Sequence, residues 1–174
     1  MNDIIKLERI AIKLKEVRRK GWLISGIKNP ESVAEHCFSV SFFVMLMAKK
    51  LNLNIEKALM LSLVHDFAEA EIGDITPHDK NYKVKDMLEI EAIKKIADET
   101  DSVFLLELFK EYQENKTKEA NFVHDADKLE MIFQAREYIK KYPEKDLQEF
   151  FSYVKDKLFF DESKLIYEEL VKEK

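Results

Sequence analysis

Leu59-Met60-Leu61-Ser62-Leu63-Val64-His65-Asp66-Phe67-Ala68 is a long apolar run without period-2 alternation, interrupted by one ionisable pair. Its continuity predicts a buried helix rather than a strand, capped by Asn54 and reaching about Glu69. Burying His65-Asp66 mid-helix is costly unless the pair meets a partner or a cation. A second apolar run, Val33-Ala34-Glu35-His36-Cys37-Phe38-Ser39-Val40, carries another histidine. Two imidazoles and a carboxylate on separate helices would make a metal site inside a helical bundle.

Composition points the same way. The chain has 174 residues, 46% hydrophobic and 36% charged, with only 3 Gly and 3 Pro. A sheet-rich fold of this size needs more turn residues, so an all-α bundle of about seven or eight helices is expected. One domain is expected over residues 1–174, with a core at about 7–140 and C-terminal helices at about 144–174. An amphipathic first helix is predicted over about 3–19, on Ile5, Leu7, Ile10, Ile12, Leu14 and Val17. Residues 21–30 read as a connection. Ser32 and Glu35 form a capping box that starts the next helix, to about Leu51. Residues 71–79 hold Gly73 and Pro77 and cannot be regular helix. Helical patterns resume over about 84–99, 102–114, 117–140, 146–157 and 162–172.

The net charge of −5 argues against a bulk nucleic-acid partner, though not against a single nucleotide. Cys37 is the lone cysteine, which excludes an intramolecular disulfide and a cysteine-rich zinc cluster and fits a reducing cytoplasm. No apolar leader and no apolar span of bilayer length are visible, so a cytoplasmic protein without membrane contact is expected.

His36 and His65-Asp66 are the strongest candidates for chemistry. Each His alone is explained as simply by a core imidazole bonded to a backbone carbonyl. Together they suit Zn, Mn, Fe, Co or Ni, with coordination positions left for water. Glu69 lies four residues after His65, one turn on, where a carboxylate in a partly dry site suits general acid–base work. An ordinary solvated Glu near a helix end is the plainer alternative. His78-Asp79 sits in a polar loop and reads as solvent-exposed. Asp127 shares an apolar stripe with Val123 and Met131, and Asp125 precedes Leu129 by four, so periodicity does not choose between them. Arg18-Arg19-Lys20 complements the dipole of the first helix, and a guanidinium there could also clamp phosphate. Trp22, the single tryptophan, is either core or the wall of a nucleotide pocket.

The order His36, His65-Asp66, Asp127 resembles the H…HD…D signature of the HD-domain metal-dependent phosphohydrolases. Five segments resemble their 5'-deoxynucleotidase branch: Arg19-Lys20-Gly21-Trp22, Pro30-Glu31-Ser32-Val33-Ala34-Glu35-His36, His65-Asp66-Phe67-Ala68-Glu69-Ala70, Gly73-Asp74-Ile75-Thr76-Pro77, and Ala126-Asp127-Lys128-Leu129-Glu130-Met131-Ile132-Phe133-Gln134-Ala135. A bare His-Asp pair is weak, since this chain has three. The ordered set is specific.

The resemblance implies an all-α HD bundle in which His36, His65, Asp66 and Asp127 hold one divalent ion (Co, Mn, Mg or Zn). It prefers Asp127 to Asp125. It implies Glu69 as proton donor to the leaving sugar oxygen and Asp74 as the residue that orients substrate or water. Arg19 would contact the phosphate, Trp22 would line the sugar pocket, and Thr76 would join the substrate contacts. It further implies a small-molecule nucleotide substrate and a homodimer. Dinuclear relatives use extra histidines, and only His78 and His124 remain here, so one ion is expected. Two rivals are another HD activity, on triphosphates or phosphodiesters, and a non-catalytic helical metal-binding interaction module. The presence of Glu69 favours an enzyme.

Overall fold

Ser32 and Glu35 do what their spacing predicts. The Ser32 hydroxyl accepts from the Glu35 amide at 3.2 Å, and the Glu35 carboxylate accepts from the Ser32 amide at 2.7 Å. This box starts α3 (Val33–Lys50), and Asn54, accepting from Lys57 N at 3.1 Å, starts α4 (Ile55–Val64). The computed structural model describes residues 1–173. Besides α3 and α4 it contains α1 (Asn2–Lys13), α2 (Lys20–Ile24), α5 (Glu69–Ile72), α6 (Lys85–Thr100), α7 (Val103–Glu114), α8 (Lys118–Lys141), α9 (Gln148–Val154) and α10 (Asp161–Lys172), with a 3₁₀ turn at Tyr82–Val84. Eight of the helices have seven or more residues, and no strand forms among the described residues, so the class is all-α as expected. No helix of the described residues is long and apolar enough to cross a membrane.

Three apolar clusters meet around α3 and α8. One joins α1, α6 and α7 to Val33 and Cys37 of α3. A second packs Val40 and Val44 of α3 against Leu61 of α4 and Phe122, Val123 and Ala126 of α8. The third gathers Trp22, Ile27, the second half of α8, Phe151 and Val154 of α9, and Leu170 of α10. The C-terminal helices are therefore part of the packing around α8.

Three local expectations are corrected. The first helix ends at Lys13, not near Arg19, because Leu14, Lys15 and Glu16 donate to carbonyls three residues back and wind the chain out of the α form. The chain then runs beside the start of α3, with Arg19 N donating to Glu31 O at 3.1 Å and Val33 N to Val17 O at 2.9 Å. The start of the 21–30 stretch, expected as connection, instead forms the short helix α2 with Lys20. Most consequentially, α4 stops at Val64, so His65-Asp66 lie in a turn rather than mid-helix. Phe67 N donates to Val64 O at 3.0 Å and Glu69 N to Asp66 O at 3.0 Å. In that tighter winding, residues three apart eclipse, so Glu69 falls under Asp66 rather than under His65.

Asp125 is an architectural residue. Its carboxylate is fully buried and accepts from Phe159 N at 2.8 Å and Phe160 N at 2.9 Å, just before α10. Asp125→Ala would leave those amides unpaired and is expected to cost about 1–3 kcal/mol. Thermal melts should show that loss in Asp125→Ala with ion binding unchanged; a weakened ion affinity would contradict the assignment.

Candidate metal centre and active site

The turn after α4 aims His65 inward. Its Nδ1 is 2.7 Å from the Ser62 carbonyl, which can only accept, so Nδ1 carries the hydrogen and Nε2 presents a lone pair. His36, on α3, is fixed in the same sense: its Nδ1 is 2.6 Å from Glu130 Oε2 on α8. The two Nε2 atoms then face each other at 3.4 Å. Asp127 Oδ1 lies 3.2 Å from His36 Nε2, and Asp66 Oδ2 lies 3.3 Å from His65 Nε2 and 3.6 Å from His36 Nε2. Both imidazoles are fully buried, while Asp127 is 28% exposed and forms the open edge.

Four acceptor atoms crowded in this way repel unless positive charge lies among them. Ligand atoms about 2.1 Å from one ion would stand about 3.0–3.4 Å apart, close to the spacing found. The electrostatics agree. Burial and the Arg19 charge push the His36 imidazole down, yet Glu130 and Asp127 outweigh them and raise it to about 10, so the site draws positive charge, and an ion bound at Nε2 would take the place of a proton there. Asp66 stays well below the usual carboxylate range despite burial, held by His65 and Arg19. The residues present thus fit a divalent cation. Cys37 also lies near His65 and Asp66, but burial pushes its thiol up, so it remains a neutral thiol and a poor ligand.

Arg19 and Glu69 flank this centre. Arg19 is extended between α1 and α2, its side chain is 14% exposed, and its Nη1 is 3.4 Å from Asp66 Oδ2. Burial opposes its charge, but Asp74, Asp66, Asp127 and Glu69 keep it protonated. Glu69 is wholly buried, and neither carboxylate oxygen has a hydrogen-bond partner among the described residues. Burial, then the Asp66 and Asp74 charges, push it well above the usual range, although Lys85 Nζ stands 3.6 Å from Oε1. Burial in that setting favours the neutral carboxyl over the carboxylate.

The other expected substrate residues are engaged within the protein. Asp74 Oδ2 accepts from Lys20 N at 2.6 Å and so pins the start of α2. Thr76 donates its amide and hydroxyl to Asp79 Oδ2 at 2.8 and 2.9 Å, and Lys20 Nζ pairs with the same carboxylate. Asp79 is therefore a latch between α2 and the loop, not an idle exposed group, while His78 is 53% exposed, 3.8 Å from Glu149. Trp22 differs most from its expected place. The indole is 2% exposed, stacks on Phe150 at 4.1 Å and donates to Glu31 Oε1 at 2.9 Å. It is a core residue behind the centre, with no open face toward a sugar.

Sequence reasoning missed Glu130, Lys85 and Glu31. Glu130 follows Asp127 by three residues on α8, so helical spacing alone could have put it on the same face. Lys85, at the first turn of α6, pairs with Glu69 and Glu89 and carries no local signal.

The HD domain family profile matches residues 11–164. The chain is 42% identical over 147 residues to 5'-deoxynucleotidase hdd1 of Schizosaccharomyces pombe, covering 79% of this chain and 74% of that protein. It is 37% identical to 5'-deoxynucleotidase HDDC2 of Dictyostelium discoideum, covering 81% and 80% of the two chains. A solved structure of a conserved hypothetical protein from Pyrococcus furiosus superposes with a TM-score of 0.83 at 37% identity, over 97% of this chain and 99% of that one. The family profile, these identities and the clustered His36, His65, Asp66 and Asp127 converge on one conclusion: the chain belongs to the HD-domain family of metal-dependent phosphohydrolases.

Proposed function

We propose that the chain is a 5'-deoxynucleotidase that converts deoxyribonucleoside 5'-monophosphates to nucleoside and inorganic phosphate. The substrate class follows the names of its relatives. The observation that carries the reaction type is the buried Glu69 carboxyl, without a hydrogen-bond partner among the described residues, beside a cluster of candidate cation ligands and an Arg.

His36, His65, Asp66 and Asp127 would hold one divalent ion. Two imidazole nitrogens in that set favour Co, Mn or Zn over Mg. When bound, such an ion lowers the pKa of a neighbouring water and offsets charge on the phosphoryl group. Arg19 binds phosphate oxygens through its fixed guanidinium and orients the phosphorus for in-line attack by water. As the bond from phosphorus to the 5' oxygen breaks, Glu69 gives its proton to that oxygen, and the nucleoside leaves as an alcohol. The Lys20–Asp79–Thr76 latch fixes the 74–79 loop, from which Asp74 would orient the substrate or the water and Thr76 would join the substrate contacts. Trp22 acts from behind, by fixing the Arg19 segment.

Four exposed apolar residues, Phe38, Phe42, Met45 and Leu46, form one stripe along α3, opposite the face that carries His36. This stripe supports a homodimer, which light scattering would show as twice the chain mass and a monomer at working concentration would refute. The buried lone Cys37 suits a reducing cytoplasm. Specificity is tested by comparing kcat/KM for dAMP, AMP and a 3'-monophosphate. The deoxynucleoside 5'-monophosphate should be preferred, and equal values for dAMP and AMP would remove the deoxyribose assignment.

A further inference from the structure

One turn of α8 grips the His36 ring from both sides. Asp127 Oδ1 lies 3.2 Å from Nε2, and Glu130 Oε2 lies 2.6 Å from Nδ1. Glu130 is buried, with 7% of its side chain exposed, and no step of the proposed reaction uses it. A second unused carboxylate stands beside it. One ligand-type atom from each of Glu31, His36 and Glu130 lies within 4.8 Å of the others. Glu31 Oε1 accepts from Trp22 Nε1 at 2.9 Å, Glu31 N donates to the Tyr138 hydroxyl at 2.8 Å, and Glu31 O accepts from Arg19 N at 3.1 Å. Placing two acids next to one imidazole in a poorly hydrated interior is expensive. Simple packing between α3 and α8 would be better served by apolar side chains.

We propose that Glu130 and Glu31 are positioning residues for the metal centre: Glu130 holds His36 in the tautomer whose Nε2 faces the ion, and Glu31 carries that constraint to Trp22 and the Arg19 segment. An imidazole whose Nδ1–H is held by a carboxylate is both oriented and more basic at Nε2, and loss of such a partner weakens metal affinity by about 10–100-fold. Glu31 adds a path from the ion to the residue expected to meet the phosphate, since Arg19 and Trp22 hang on its main chain and side chain respectively. The inference rests on the metal site proposed above.

The test needs no turnover. Chelated protein is titrated with Zn or Co against a chromophoric chelator, with the emission of Trp22, the single tryptophan, recorded throughout. Glu130→Ala should bind the ion about 10–100-fold more weakly. Glu130→Gln, whose amide oxygen still accepts from Nδ1, should restore near-wild-type affinity. Should the Ala variant not fold, Glu130→Asp, one methylene too short to reach Nδ1, carries the same expectation. The ion should shift Trp22 emission in the wild type and in Glu130→Gln, and the shift should vanish in Glu31→Ala. Unchanged affinity in Glu130→Ala or Glu130→Asp overturns the role of Glu130. A wild-type emission that ignores the ion, or a full shift in Glu31→Ala, overturns the role of Glu31. Wild-type protein that takes up no divalent ion overturns the metal site itself and this inference with it.

Discussion

Glu69→Gln is expected to lower kcat by about 10²–10⁴-fold while leaving ion and substrate binding in place. The side chain is buried with no hydrogen-bond partner among the described residues, and its surroundings favour the neutral carboxyl. An amide is nearly the same size and matches the neutral form that burial favours, so the packing around Asp66, Arg19 and Lys85 changes little. What the amide cannot do is give up a proton to the departing 5' oxygen. KM and ion affinity near the wild-type values, with the loss confined to kcat, are the signature of an interaction made only in the transition state. A Glu69→Gln protein that turns over at the wild-type rate with the site fully loaded would take Glu69 out of the mechanism.

Return of Mn, Co or Zn to chelated protein should raise its melting temperature. An ion that binds only the folded chain, at about 100 times its dissociation constant, adds about 2.7 kcal/mol. For a chain of this length that corresponds to a rise of roughly 5–10 °C. The reason lies in the crowding of His36 Nε2, His65 Nε2, Asp66 Oδ2 and Asp127 Oδ1 at 3.2–3.6 Å, which a cation relieves. His65→Ala should abolish the rise, since it removes a central donor. His78→Ala should leave it intact, because His78 is half exposed on the loop. Melting curves that ignore all three ions, or a response that survives His65→Ala, would remove the site.

The fold was legible where the signal is local. Ser32, Glu35 and Asn54 start helices through bonds to residues three positions away, and the apolar periods reach no farther than one turn. The same locality explains the errors. Nothing within one turn of Leu14 says that the first helix must unwind there. Its end is fixed by backbone bonds to Glu31 and Val33, across a connection whose path the sequence does not state. The apolar run through Val64 likewise conceals the tight turn that aims His65 and puts Glu69 beneath Asp66. At the site, His36, His65 and Asp66 stood out because ionisable groups in apolar runs demand an explanation. Asp79 stayed hidden because its partner Lys20 is 59 residues away; Glu130 was passed over although it lies one turn from Asp127, since its partner His36 is 94 residues away. The choice of Asp127 over Asp125 came from the family resemblance. The structure supplies its physical counterpart: Asp125 spends its carboxylate on the amides that precede α10, while Asp127 faces the imidazoles.

The most direct test is phosphate release from dAMP by exhaustively chelated protein, before and after Mn, Co, Zn or Mg is added back. Chelated protein should release none, and at least one of Mn, Co and Zn should restore release, with His65→Ala silent throughout and bis-phosphoesters hydrolysed far more slowly than dAMP. Release that persists without an ion, or an absence of release with every ion, would contradict the assignment of this chain as a metal-dependent phosphomonoesterase.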